Sequence, residues 1–449
     1  VVKTMNTSSP VRDPRPRRSF TARRAALAGS IGSTIEWYDF FLYGTASALV
    51  FGDVFFPTDD PFVSRLLAFA SFGVAFVARP LGGLIFGYLG DKFGRKPVLV
   101  ITLLMMGLST GVIGLLPSYD SIGLAAPIVL VTLRILQGIS VGGEYGGAVL
   151  MAVEHADEKK KSFYGSWVQA GSPAGLILCN TVFLITIYET SGSAWAWRVP
   201  FLVSFILVAV GLYIRTQIAE SPEFEAAQEE KALKTSPIRA VLKEAKLRMA
   251  LVSLAYVGAG VTVYIVAVFS MSFGKVELSY STEAVLTLVV VGQIAAFIAM
   301  LIFGKLGDRI PYHKVFIVGC VFMGLMAVPW MAGLETGNHW VAGAGYVLIS
   351  IPYAAVYGSM AVFFATTFET TIGYTALSAG YQFGTVISSA IAPMIALNLL
   401  NATGSSWSIV AYMTLSCFVS AIAAGILQRQ KVKARRQVAA ASVVQGSAG

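Results

Sequence analysis

The chain is a succession of long apolar runs separated by short polar breaks. A helix needs about 20 predominantly apolar residues to cross a hydrocarbon core of roughly 30 Å. Twelve runs meet that length, at 26–50, 63–89, 98–117, 124–152, 163–187, 197–215, 249–273, 284–304, 315–333, 340–366, 375–400 and 407–427. The longest polar stretch, 216–248, divides them six and six. It contains Ser221-Pro222 and Ser236-Pro237, each a cap residue followed by proline at a first helical position. The pattern predicts an all-α membrane protein with twelve transmembrane helices in two six-helix halves. Its expected divisions are a basic N-tail (1–24), a first half (25–215), a cytoplasmic linker with short surface helices (216–248), a second half (249–427) and a tail (428–449).

Composition agrees. Of 449 residues 56% are hydrophobic and 13% charged, with a mean hydropathy of +0.71. Soluble domains carry about 25% charged residues. The net charge of +9 does not call for nucleic acid, because the basic residues follow the topology. They fill the N-tail, the 2–3 loop (Lys92, Arg95, Lys96), the 4–5 loop (Lys159, Lys160, Lys161), the 6–7 linker, the 8–9 loop (Lys305, Arg309, Lys314) and the tail. Only Arg65, Arg198 and Lys275 fall near the opposite face. This bias places both termini in the cytoplasm of an inner, cytoplasmic-type membrane. The arginine-rich head leads into an apolar segment too long for a cleavable signal. Cys179, Cys320 and Cys417 lie within runs and read as packing residues, not disulfide partners. The histidines, at 155, 313 and 339, sit at helix ends or loops and offer no buried proton relay. No H-E-x-x-H and no phosphate loop is present, so neither an enzyme nor an ATP-driven pump is expected.

The halves echo each other. Gly87, Leu89, Gly90 and Asp91 recur as Gly304, Leu306, Gly307 and Asp308, in both cases after the second helix of a half. Internal repeats of this kind are common in secondary transporters, whose substrate site lies between the halves near the midplane.

Charge inside the apolar runs carries the chemistry, since an ionised side chain at the bilayer centre costs about 2.5–3.5 kcal/mol on insertion scales. Glu36 and Asp39 lie three apart on one face of the first helix. Burial disfavours an ionised carboxylate and a nearby arginine favours it, so movement of an arginine or arrival of substrate switches protonation. The alternative is an acid at a helix end facing cytoplasmic water. Arg134, Gln137 and Glu144 share the glycine-rich run RILQGISVGGEYGG; Arg134 either serves the site or staples helices together. Arg79, beside Pro80, is a second intramembrane cation. The two arginines favour a substrate carboxylate, which a guanidinium grips bidentately, unless they only neutralise Glu36, Asp39 and Glu144. Gln169 on the fifth helix, where Pro173 suggests a bend, is a candidate substrate donor. In the second half Tyr256, Tyr264, Gln293, Tyr353, Tyr357, Tyr381 and Gln382 are the polar groups left to line a cavity.

The run GYLGDKFGRKPVLV, with Gly87, Gly90, Asp91, Gly94, Arg95 and Lys96, resembles the signature loop of the major facilitator superfamily, which acts as a gate latch between conformations. With GSTIEWYDFFLYG (32–44), RILQGISVGGEYGGAVLMAVEHA (134–156), SFYGSWVQAGSPAGL (162–176), WRVPF (197–201) and ESPEF (220–224), the chain resembles the metabolite:proton symporter branch of that superfamily, and among its members the shikimate-type ones most. The resemblance implies the major facilitator fold and proton-driven symport with no cofactor. The implied substrate is a small organic acid, such as a shikimate-like, aromatic or di/tricarboxylate solute. From the related sugar porters it implies that Asp39 pairs with Arg134 and that Gln169 lines the cavity. Proton coupling then falls to Asp39, Arg134, Glu36 and Glu144. Substrate contact falls to Arg79, Arg134, Gln137, Gln169, Tyr256, Tyr357 and Gln382. Two departures stand out: the second-half loop ends IPYHK without G-R-K, and the 10–11 loop carries Glu369 where a basic residue is usual. A symporter of zwitterionic osmolytes is the alternative, and a non-transporting receptor a remote one. A monomer is expected, with protons, the solute and lipid as its partners.

Overall fold

The computed structural model describes residues 15–93, 95–142, 161–190, 193, 195–216, 246–368 and 373–446. Among the described residues are twelve long helical units and two short helices, Phe51–Phe55 and Tyr119–Ile122. In the first half the long units are α1 (Arg15–Leu49), α2 (Pro61–Phe93), α3 (Arg95–Leu115), α4 (Ala125–Gly142), α5 (Lys161–Thr190) and α6 (Arg198–Thr216). In the second they are α7 (Lys246–Val276), α8 (Thr282–Gly307), α9 (Tyr312–Glu335), α10 (His339–Ala365), α11 (Gly373–Ile387, then Ala392–Thr403) and α12 (Trp407–Gly446). Among the described residues ten helices are long and apolar enough to cross a membrane, and Arg198–Tyr213 is a shorter apolar one. The first helix, which carries the charged residues, completes the set.

Capping marks the helix ends where the chain emerges. Ser281 Oγ accepts from the Ala284 N–H at 3.2 Å at the start of α8. Asn338 Oδ1 accepts from the Trp340 N–H at 2.9 Å at the start of α10. Both satisfy amides that have no partner within the helix. Gly404 ends α11 with φ 64°, in the left-handed region that glycine enters at no steric cost.

The observed elements differ from the apolar runs in four places. α1 begins at Arg15, inside the expected tail, and α12 runs through the expected boundary at 427 to Gly446. α7 contains a π-turn at Ile265–Phe269. α11 is broken: the Ala390 amide reaches back to the Thr385 carbonyl, and a second segment starts beside Pro393, whose ring nitrogen has no proton to continue the ladder. Neither Pro80 nor Pro173 ends its helix. The linker 217–245 and the 143–160 segment, which holds Glu144 and the rest of the fourth run, lie outside the described residues.

The two halves share one packing scheme. In the first, α1 packs on α5, α2 on α4, α3 on α6 and α3 on α4. In the second, α7 packs on α11, α8 on α10, α9 on α12 and α9 on α10. Across the halves α5 meets α8, and α11 meets α2. The expected repeat is therefore a repeat of architecture as well as of loop sequence. Close approach of α2 and α4 explains Gly138 and Gly142 of the fourth run. A Cβ at Gly138 would strike the Ala75 carbonyl, one at Gly142 the Arg79 carbonyl, and one at Gly82 the Ile139 carbonyl. Small residues at spacing four let two membrane helices touch backbone to backbone. The three cysteines are free and buried.

Candidate functional site

Asp39 lies one turn deeper than the half-buried Glu36 and is 1% exposed. Its carboxylate accepts from Ser204 Oγ on α6 at 2.5 Å. The Thr110 hydroxyl on α3 faces the same carboxylate, and the Gly107 site, one turn before it, lies against Oδ2. The neighbouring Tyr38 hydroxyl donates to the Pro200 carbonyl at 2.7 Å, tying α1 to α6.

Arg134 is fully buried on α4. One terminal nitrogen donates to Gln137 Oε1 at 2.8 Å and the other to the Phe72 carbonyl at 3.2 Å. Gln137 passes the contact on, its Nε2 donating to Thr110 Oγ1 at 2.7 Å. Arg134 and Asp39 are thus joined through Gln137 and Thr110, not by the direct pairing that the resemblance implies. Both ends of the Gln137 amide are occupied within this chain.

The arginines rest on aromatic faces. Arg134 lies 4.0 Å from the Tyr43 ring centroid and 4.9 Å from that of Phe40. Arg79 lies 4.4 Å from Phe40 and 4.6 Å from Phe76. A desolvated cation–π contact contributes about 2 kcal/mol, which offsets part of the cost of burying each guanidinium. The Nε of each arginine has no hydrogen-bond partner, nor has the buried Tyr264 hydroxyl from the other half. Tyr264 closes the box, its ring 5.2 Å from Phe76 and 5.5 Å from Phe72. It immediately precedes the π-turn of α7, and such turns concentrate at functional sites.

The two halves touch at both ends of their interface. At one end Arg65 on α2 pairs with Glu277 beyond α7 at 3.1 Å, and Lys275 Nζ donates to the Leu49 carbonyl at 3.3 Å. At the other, Asp308 Oδ1 accepts from the Ser162 amide in the first turn of α5 at 3.0 Å. A carboxylate at a helix N-terminus contributes about 0.3–1 kcal/mol. The three basic residues that break the charge bias are therefore all engaged, for Arg198 donates to the Gly114 and Leu116 carbonyls at 2.9 and 2.7 Å. The two halves thus pack around a buried centre that holds Arg79 and Arg134. Residues 29–393 match the Major Facilitator Superfamily.

The chain belongs to the Major Facilitator Superfamily. It is 38% identical over 416 residues to a shikimate transporter of Escherichia coli (strain K12), covering 91% of this chain and 94% of that protein. It is 33% identical over 421 residues to a proline/betaine transporter of the same organism, covering 91% and 83%. A crystal structure of a D-xylose–proton symporter superposes with a TM-score of 0.70 at 18% identity, over 89% of this chain and 97% of that one, which shows the shared fold. The protein is a multi-pass membrane transporter and not an enzyme.

Within this superfamily member the expected residues divide into groups. Arg79 and Arg134 come together over Phe40, with Asp39 at the end of the polar chain. Tyr256 sits two turns before Tyr264 on α7, its ring 4.8 Å from Tyr381 and its hydroxyl 3.5 Å from Ser389 Oγ at the break in α11. Gln169 donates to the Tyr357 carbonyl at 3.3 Å, joining α5 to α10, and the Tyr357 ring stacks on Tyr353 at 5.5 Å. Gln382 lies within reach of Thr385 on its own helix at 3.5 Å. Gly87, Gly90 and Asp91 fall in the last turns of α2, and Arg95 and Lys96 begin α3. The side chains of that turn, and Gly94, Glu144 and Glu369 altogether, lie outside the described residues. Sequence reasoning passed over Thr110, Ser204, Tyr43 and Phe40. Thr110 could have been flagged by its place between Gly107 and Gly111, which form a small-residue face against Val208 and Phe205 of α6.

Proposed function

We propose that the protein is a proton-coupled symporter that takes up a small organic acid by alternating access of its two halves, with both termini in the cytoplasm of an inner membrane. The observation that carries this reading is the pair of buried arginines over one aromatic ring, each with an N–H unspent, in a cluster that also holds the free Tyr264 hydroxyl. Two guanidinium groups supply bidentate geometry for a carboxylate, and the flat aromatic walls suit a ring or planar acid. Asp39 is the site of protonation. A proton entering from outside neutralises its carboxylate and loosens the hold of the polar chain on Arg134. The freed guanidinium then engages the substrate carboxylate, the halves rock, and proton and acid leave on the other side. The likeness to a shikimate transporter supports a shikimate-like acid.

The second reading is a zwitterionic osmolyte, favoured by the relative named as a proline/betaine transporter. Uptake into proteoliposomes of labelled shikimate, 2-oxoglutarate, citrate, protocatechuate and betaine, with and without an inward proton gradient, separates the two. Gradient-dependent uptake of an acid supports the first; uptake of betaine alone, rising with osmolality, replaces it with the second.

A further inference from the structure

We propose that Thr110 is a coupling switch: a hydroxyl rotor that reports the protonation of Asp39 to Arg134 through Gln137. The inference rests on the symporter reading above and adds a residue to it. Four observations carry it. The Thr110 hydroxyl accepts from Gln137 Nε2 at 2.7 Å while its own proton goes to the Met106 carbonyl at 3.0 Å. Gly107, one turn earlier on the same helix face, lies against Asp39 Oδ2, so the Thr110 hydroxyl faces the carboxylate too and its one proton has two acceptors to choose between. Gln137 in turn accepts from Arg134 at 2.8 Å. All four side chains are buried, so water does not short-circuit the chain.

The groups around Asp39 leave this route open. Ser204 on α6 donates to it, Cys179 on α5 and Tyr38 on its own helix lie within electrostatic range, and Arg134 stands at the far end of the chain on α4. With Asp39 ionised, every donor points the same way: Arg134 to Gln137, Gln137 to Thr110, Thr110 to the carboxylate. Chains of this polarity strengthen link by link in a low dielectric. When Asp39 takes up a proton, the terminal acceptor loses its charge and the Thr110 proton turns to the Met106 carbonyl, whose oxygen lies 3.0 Å away. Each link to Arg134 weakens, and the guanidinium is released to substrate. No proton travels along the amide; the proton stays on Asp39 and only hydroxyl orientation changes.

The test uses the full chain in proteoliposomes with labelled shikimate as probe. Thr110→Val removes the hydroxyl at similar volume, and Thr110→Ser restores it. The expected result for Thr110→Val is a fall of about tenfold in gradient-driven accumulation, with gradient-independent exchange within about twofold of wild type. Its pH profile of uptake flattens, and Thr110→Ser recovers both. Should Thr110→Val not yield monodisperse protein, Thr110→Ala carries the same comparison without added bulk. Parallel loss of exchange and accumulation, or an unchanged pH profile, overturns the switch and leaves Thr110 a packing residue. A wild-type protein that ignores the proton gradient overturns the symporter reading instead, and is recognised before any variant is compared.

Discussion

Arg79 and Arg134 stand over the same Phe40 ring, 4.4 and 4.9 Å from its centroid, on helices whose backbones touch. Two like charges gathered this closely in a membrane interior repel unless something anionic visits. On the function proposed above, the visitor is the substrate carboxylate, which arrives and leaves. The cation–π contacts and the Gln137 chain hold the site together between visits.

Arginine geometry is therefore expected to matter beyond charge. Arg134→Lys keeps the cation but loses the planar fork that spans Gln137 and the Phe72 carbonyl. Uptake is expected to show a KM raised about tenfold or more, with Arg79→Lys less affected because the described bonds of Arg79 are mainly ring contacts. Equal KM values for wild type and both variants would remove the arginines from the binding role.

The α2–α4 contact should tolerate no added carbon. Gly138→Ala and Gly142→Ala put a methyl group into backbone carbonyls that have no rotamer by which to yield. A destabilisation of about 1–3 kcal/mol is expected, the usual cost of overpacking. Thermal unfolding in detergent, followed by size-exclusion chromatography, reads it; Gly32→Ala, which meets nothing within 4 Å, serves as the control.

On the proposed topology the Arg65–Glu277 pair lies at the outer end, with side chains 23% and 39% accessible. Such pairs contribute about 0.2–1 kcal/mol. Glu277→Gln is expected to raise the outward-open population a few-fold at most, without loss of folded protein. Spin-label distances between the ends of α2 and α7 measure this. A reversed pair, Arg65→Glu with Glu277→Arg, should restore closure.

The repeated loop makes a matching claim at the other end. Asp308 accepts from the Ser162 amide in the first turn of α5, so in the proposed cycle its copy of the glycine–aspartate motif serves as a latch although the G-R-K of the first copy is missing. Asp308→Asn keeps an acceptor but loses the charge. It is expected to speed opening at that end, seen as faster alkylation of a cysteine introduced at Ser166, beside the latch.

Much of this was legible in the chain. The twelve runs and their six-and-six division follow from hydropathy, because a membrane imposes one length on every spanning helix. Asp39, Arg79 and Arg134 announce themselves as charges where charge is costly. What was hidden depends on neighbours distant in sequence. Gln137 reads as a substrate ligand until Arg134 and Thr110 are seen to occupy both ends of its amide. Asp39 and Arg134 read as partners until two side chains are found between them. Tyr264 and Tyr256 look alike in sequence, and only packing places the first against the aromatic box. The break in α11 left one trace, Pro393, among small residues that otherwise continue a helix. The π-turn in α7 left none.

The measurement that bears most directly on the central claim is accumulation of a labelled acid in proteoliposomes by wild type and by Asp39→Asn, each with an imposed inward proton gradient and again as counterflow without one. The account predicts gradient-driven accumulation by wild type, none by Asp39→Asn, and counterflow by both. Gradient-driven accumulation by Asp39→Asn would contradict it, and the proton would then have to be carried elsewhere.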